Sequence, residues 1–254
     1  MTRGYDACAR AYHESRRAEA ATEIRGLLDR LGDGDAVLDV GCGAGVPIAQ
    51  SLAARHRLTG VDVSREMVHL ARRHVPAGDF ICADVMSVSL EPSSFDAIVA
   101  INSIFHIPRE AQPSLFQRLH RWLRPGGYLL CTLSHESEPG YTEDDFHGVT
   151  MYWSNYGLGE YLGILADSGF EVLETSSTAC GHDEAVQGTI EDHPVVLAQR
   201  RHLQDSSSFP RRACPVLDTR RESTPHWTWE RNGCAHSSPS PAGYFKGLQR
   251  QRRG

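Results

Sequence analysis

Between Val37 and Ala49 the chain reads VLDVGCGAGVPIA, an apolar run that passes into glycines at three alternate positions and then into a helix start. Gly41, Gly43 and Gly45 permit backbone angles that a side chain forbids, so the strand can end in a tight turn whose bare peptide N–H groups face a ligand. Pro47 suits the first turn of the helix, where a missing N–H leaves nothing unpaired. The spacing bears on the ligand. A dinucleotide loop follows Gly-x-Gly-x-x-Gly, with a third glycine for close helix packing, and here that position is Val46. Asp39, two residues before the first glycine, sets a carboxylate where a diphosphate would be repelled and a cationic group received.

LDVGCGAG resembles the first motif of the class I S-adenosylmethionine (SAM) dependent methyltransferases, and the segments that follow keep the order this resemblance implies. LTGVDV, Leu58 to Val63, is a second apolar strand ending near Asp62, about twenty residues past the glycines, where a carboxylate can accept both ribose hydroxyls. SREMVHLARRHV reads as a helix capped by Ser64. The resemblance puts Met67 near the adenine; periodicity alone equally allows plain core packing. FICADV, Phe80 to Val85, is a third strand whose Asp84 matches the family residue that bonds the adenine amino group, with the backbone N–H of Val85 beside it. A fourth strand, Ala97 to Ile101, is nearly all apolar, as burial on both faces requires. Asn102 follows at its carboxyl end, the edge where open parallel sheets bind ligands.

Ser114 to Leu123 has helical periodicity, Pro125-Gly126-Gly127 reads as a turn, and a fifth strand follows. A helix stopped by Gly169, a sixth strand from Phe170 and a seventh in HPVVLAQR complete the pattern. The expected fold is α/β: a doubly wound, Rossmann-like, seven-stranded sheet whose last two strands form an antiparallel pair. The resemblance covers Tyr5 to about Arg201, giving a methyltransferase domain over residues 1–201.

Residues 202–254 lack periodicity, are rich in Ser, Pro, Arg and His, and read as a disordered basic C-terminal tail. A basic arm for an acidic partner, or an extension from an altered reading frame, are the alternatives. The tail carries a net +5 within a chain total of −6, which leaves the preceding body strongly acidic. Such a body is a poor partner for phosphate backbones, so a nucleic-acid substrate is not expected. No apolar run of membrane-spanning length and no charged-then-apolar leader is present, and seven cysteines show no C-x-x-C spacing. A cytoplasmic protein with reduced thiols and no metal site is expected.

The activity implied is transfer of a methyl group from SAM to an O, N or C atom of a small-molecule acceptor, within small-molecule metabolism. The sulfonium already activates the methyl group, so the protein has chiefly to align a nucleophile and exclude water. The cofactor set implied is Asp39, Gly41, Gly43, Gly45, Asp62, Met67, Asp84, Val85 and Asn102. His106, in SIFHIP, is the candidate base, its imidazole titrating near neutrality when unperturbed; orienting its loop is the other reading. Tyr5 and Tyr12 are candidate lid residues, or else surface-helix residues packed on the domain. His135 to Tyr156 reads as a long loop with five acidic residues, in which His147 and Tyr152 are candidate substrate contacts. A protein of the same fold that binds SAM without transferring methyl is the competing reading, and an oxidoreductase is disfavoured by the absent third glycine.

Overall fold

The computed structural model describes residues 2–16, 21–180 and 191–201. Residues 202–254, read above as a separate tail, lie outside the described residues. In chain order the elements are α1 (Thr2–Arg16), α2 (Arg25–Leu28), β1 (Ala36–Val40), α3 (Ile48–Ala53), β2 (Arg57–Asp62), α4 (Arg65–His74), β3 (Asp79–Cys82), β4 (Phe95–Ala100), α5 (Gln112–Trp122), β5 (Leu123–Thr132), β6 (Glu138–Phe146), β7 (Val149–Asn155), α6 (Leu158–Asp167), β8 (Phe170–Cys180) and β9 (Glu191–Arg200).

Seven strands form one sheet in the order β3-β2-β1-β4-β5-β9-β8. The first five run parallel; β9 inserts antiparallel between β5 and β8, as the sequence led us to expect. The order reverses between β1 and β4, which opens a crevice at their carboxyl ends.

Every residue of β1 is buried, because helices cover both faces of the sheet. Leu38 and Val40 join Ile98, Leu129 and Val196 against Leu115, Phe116 and Leu119 of α5 and Tyr161 of α6. On the opposite face Val37, Ala97, Val99 and Leu130 pack with Leu27 of α2, Leu52 of α3 and Val68 and Ala71 of α4. Truncating one such fully buried leucine to alanine removes about 2–5 kcal/mol of stability.

Local chemistry fixes the helix ends. The Ser64 hydroxyl caps α4 by accepting the Met67 N–H at 3.2 Å, and Arg72, Arg73 and His74 occupy the last turn, where cations suit the helix dipole. The α6 helix stops at Gly169, whose φ of +90° suits glycine.

Two expectations need correction. Pro125-Gly126-Gly127 does not end one element and start another. It lies within β5 as a bulge: Leu123 pairs with Phe95 and Tyr128 with Ala97, so four residues stand opposite Asp96 alone. Asp96 holds the bulge in place, pairing with the Arg124 guanidinium and accepting the Ala36 N–H at 2.8 Å.

The segment read as a long acidic loop is instead an antiparallel hairpin, β6 with β7. Its two-residue turn, His147-Gly148, has φ of +49° and +81°, the type I′ geometry that matches strand twist. One side of the hairpin packs Phe146 and Met151 on Cys8, Tyr5 and Tyr12 of α1.

Candidate active site

A cleft of about 260 Å³ opens at the carboxyl ends of β1, β2 and β4. Its floor is the glycine loop. Gly41 has φ +72°, and a Cβ placed there would stand 2.3 Å from the Ser103 Cβ, so the loop lies directly against the turn after β4. At Gly43 nothing lies within 4 Å of where a Cβ would be, leaving open space above bare backbone. Gly45 does not line the cleft; its Cα faces Ala71 of α4 at close range, which makes it a packing glycine.

Three carboxylates edge this floor. Asp39 is 2% exposed, and its Oδ2 has no hydrogen-bond partner. Burial first, and the neighbouring Asp62 charge second, push its carboxyl up to about 7. Asp62 accepts the Gly43 N–H at 2.9 Å and the Ser64 N–H at 2.8 Å, so it ties the loop to the start of α4. Burial raises its pKa also, against the lowering effect of those N–H donors. Asp84 is exposed, and its Oδ1 accepts the Met86 N–H at 2.8 Å, which holds Val85 beside it at the rim. Asn102, at φ +51°, is fixed by Thr132, whose hydroxyl accepts its N–H at 2.6 Å and donates to its Oδ1 at 3.1 Å.

The opposite wall comes from α1 and the turn Ile104–His106. The Tyr5 hydroxyl lies 2.6 Å from His106 Nε2, and His106 Nδ1 lies 3.0 Å from the Tyr152 carbonyl. A carbonyl only accepts, so Nδ1 carries the proton, Nε2 presents its lone pair and Tyr5 is the donor. Burial pulls the His106 pKa down to about 4, the Tyr152 carbonyl opposing this. The ring is therefore neutral near pH 7.

The position of His106 is set by a buried amide. Gln112 Nε2 donates to the carbonyls of Ile104 at 3.2 Å, Ile107 at 2.8 Å and Ser154 at 2.9 Å, and its Oε1 accepts the Tyr161 hydroxyl at 2.7 Å. One side chain thus joins the His106 turn, the hairpin and α6. The α1 helix is in turn held to α4 by Asp6, which accepts the Ser64 hydroxyl at 2.7 Å.

Asp39, Gly41, Gly43, Asp62, Met67, Asp84, Val85, Asn102, Tyr5, Tyr12 and His106 all line the cleft. His147 and Tyr152, expected at the acceptor, do not. The His147 ring packs on Tyr12 and Phe146 at the hairpin turn, and Tyr152 reaches the site only through its carbonyl, with its side chain over Gly140. Tyr152 is paired with Thr142 in the hairpin and His147 lies in its turn, and neither is among the residues that line the cleft. His13, Ile48 and Ile107, which no sequence signal singled out, also line the cleft, as do Pro47 and Ser103. Ser103, next to Asn102 at a strand end, carried a positional signal; its Oγ is buried with no hydrogen-bond partner.

An unpartnered carboxylate oxygen at Asp39, open backbone over Gly43 and carboxylates at three successive strand ends fit a ligand with a cationic end, a diol and an amino-bearing ring. Fold and loop are similar to those of the SAM-dependent methyltransferases. The methyltransferase-domain family matches residues 37–127. The chain is 32% identical over 163 residues to phosphoethanolamine N-methyltransferase 3 of Arabidopsis thaliana, covering 60% of this chain and 32% of that one. It is 38% identical over 172 residues to an O-methyltransferase of Pyrenophora dematioidea, covering 61% and 63% respectively. The match thus spans about a third of the length of the plant relative. Among solved structures, a SAM-dependent methyltransferase of Methanosarcina mazei superposes with a TM-score of 0.61 at 20% identity, over 70% of this chain and 98% of that one.

Proposed function

We propose that the chain is an enzyme that transfers the methyl group of SAM to an O, N or C atom of a small-molecule acceptor, with residues 1–201 as the catalytic unit. The observation that carries this reading is the cleft, with strand-end carboxylates on one side and the Tyr5–His106 pair on the other. When bound, SAM supplies an activated methyl group and departs as S-adenosylhomocysteine, sulfur keeping the electron pair of the broken bond. Asp39 holds the ligand's ammonium, Asp62 its ribose hydroxyls, and Asp84 with the Val85 N–H its adenine. Gly41 and Gly43 let the backbone approach closely. Asn102 and Met67 close the cofactor end.

At the acceptor end, Tyr5 and His106 handle the proton. An acceptor O–H or N–H gives its proton to the Tyr5 oxygen as the Tyr5 proton moves to His106 Nε2, leaving an imidazolium that returns it to solvent when α1 lifts. Tyr5 and Tyr12, on α1, also exclude water. The acidic body disfavours nucleic-acid acceptors. Free thiols at Cys8, Cys42, Cys82 and Cys131 agree with a cytoplasmic setting.

Calorimetric titration of SAM, S-adenosylhomocysteine and NADH into the full chain tests the cofactor. Binding of the two SAM-related ligands alone is expected, and binding of NADH in their place would sink the proposal. A screen of acceptors with S-adenosylhomocysteine as the readout separates transfer from binding without chemistry.

A further inference from the structure

We propose that the acceptor is an uncharged hydroxyl compound with an apolar or aromatic body, and that the site rejects acceptors bearing a phosphate or carboxylate near the reacting atom. This rests on the methyl-transfer reading and names its substrate class. The first ground is charge. No lysine or arginine occurs among the described residues that line the cleft. A phosphate that gives up water to enter this cleft needs a guanidinium, an ammonium or a metal to replace it, because an unpaired charge out of water is strongly disfavoured. Among the described side chains that line the cleft, the basic ones are the imidazoles of His13 and His106. Burial keeps the His106 ring neutral, and its Nδ1 proton is committed to the Tyr152 carbonyl.

The second ground is where the carboxylates stand. Asp39, Asp62 and Asp84 all sit at the ends of β1 to β3, the side assigned to the cofactor. Of the rest of the lining, Tyr5, Tyr12, Pro47, Ile48, Ser103 and Ile107 carry none. An ammonium there would find aromatic faces and no counter-ion. The acidic residues of β6 are exposed on the outer strand of the hairpin, with Phe146 the buried residue of that strand.

The third ground is what the wall offers. The Tyr5 hydroxyl lies in the cleft against His106 Nε2, and a phenol oxygen is both a donor and an acceptor. The Ser103 oxygen is buried and has no partner, beside the glycine loop. Two hydroxyls in a cleft that Pro47, Ile48 and Ile107 also line suit an apolar molecule with one O–H to place, as in sites where a few polar groups orient an otherwise apolar ligand.

Three probes of one shape test this in the full chain loaded with S-adenosylhomocysteine: 2-naphthol, 2-naphthyl phosphate and 2-naphthylmethylamine. Binding of 2-naphthol at least tenfold tighter than either charged probe is expected. Equal or tighter binding of the phosphate overturns the inference, and so does equal or tighter binding of the amine, which would point to a cationic acceptor. No binding by any of the three also overturns it, since an uncharged aromatic is what the wall is held to accept. Loading with S-adenosylhomocysteine is measured first and alone. Failure there sinks the methyl-transfer reading itself, whereas failure of 2-naphthol after tight loading sinks only the substrate class.

Discussion

The hydroxyl of Tyr5 and Nε2 of His106 lie 2.6 Å apart although 101 positions separate them in the chain. Tyr5 is on α1, which covers the cleft, and His106 is on the turn that follows β4. In the proposed mechanism, covering the cleft and assembling the proton path are therefore one event: if α1 lifts, the tyrosine leaves the imidazole lone pair.

Removing either partner should act on turnover more than on cofactor affinity. Tyr5→Phe and His106→Gln are each expected to lower kcat by about 10²-fold, with S-adenosylhomocysteine binding changed by less than about threefold. The double variant should lose little more than the worse single one, since two groups on one proton path are not additive. Steady-state kinetics with a parallel calorimetric titration checks this, and unchanged turnover in His106→Gln would remove the pair from the chemistry.

Asp39 and His106 titrate in opposite senses. The Asp39 carboxyl, at about 7 in the folded chain, lies above its usual value of 3.8, so the folded state holds the extra proton and stability falls as pH rises from about 4 to about 7. His106, at about 4 against a usual 6.5, is depressed, so its contribution is lost as pH falls through the same interval. In Asp39→Asn the falling limb should vanish, and the melting temperature should rise with pH across that window. Affinity for S-adenosylhomocysteine should also rise with pH up to about 7 in the native chain, by at most tenfold per unit, and flatten in the variant.

Asp62→Ala should weaken the cofactor end selectively. It strips the acceptor from the Gly43 and Ser64 N–H groups. Hydrogen bonds to a charged group contribute about 1.5–3 kcal/mol each, less where water can replace the partner. A rise of at least tenfold in the Kd for S-adenosylhomocysteine is expected, with kcat at saturating SAM within about fivefold of the native value.

Gln112→Leu separates positioning from binding. The substitution leaves the carbonyls of Ile104, Ile107 and Ser154 without their donor in a fully buried setting, for a loss of about 2–4 kcal/mol in stability by denaturant titration. The turn bearing His106 then loosens. We expect kcat to fall at least tenfold while the KM for SAM stays within about twofold, a split that a general loss of folded protein would not produce.

The parts of this site that were legible in the sequence are local ones. A glycine loop, an aspartate at a strand end and a capped helix each declare themselves within a dozen residues, because backbone geometry and a neighbouring side chain decide them. The hairpin did not. Its strand EPGYTEDDF is almost wholly exposed and rich in residues that disfavour strands, and it forms because β7 anchors Met151 on α1, a contact made across well over a hundred positions. The turn His147-Gly148 was the signal available, as a glycine-containing pair between aromatic and β-branched residues. Tyr5 and His106 were each named from sequence, as lid and as base, yet nothing local says that they touch. Gln112 went unremarked because a glutamine at a helix start reads as solvated until tertiary packing buries it.

The antiparallel insertion of β9 has a practical side. Since β9 runs against β5, the chain returns to the amino ends of the parallel strands, where the Arg200 guanidinium bonds the carbonyls of His120 and Leu123. A fluorophore or surface tether attached at Arg201 would thus be anchored on the rim a strand's length from the cleft, and the mouth would face away from the support. Immobilised protein and protein in solution should then take up ligand at the same rate, which makes that position a sound attachment point for surface-based binding measurements.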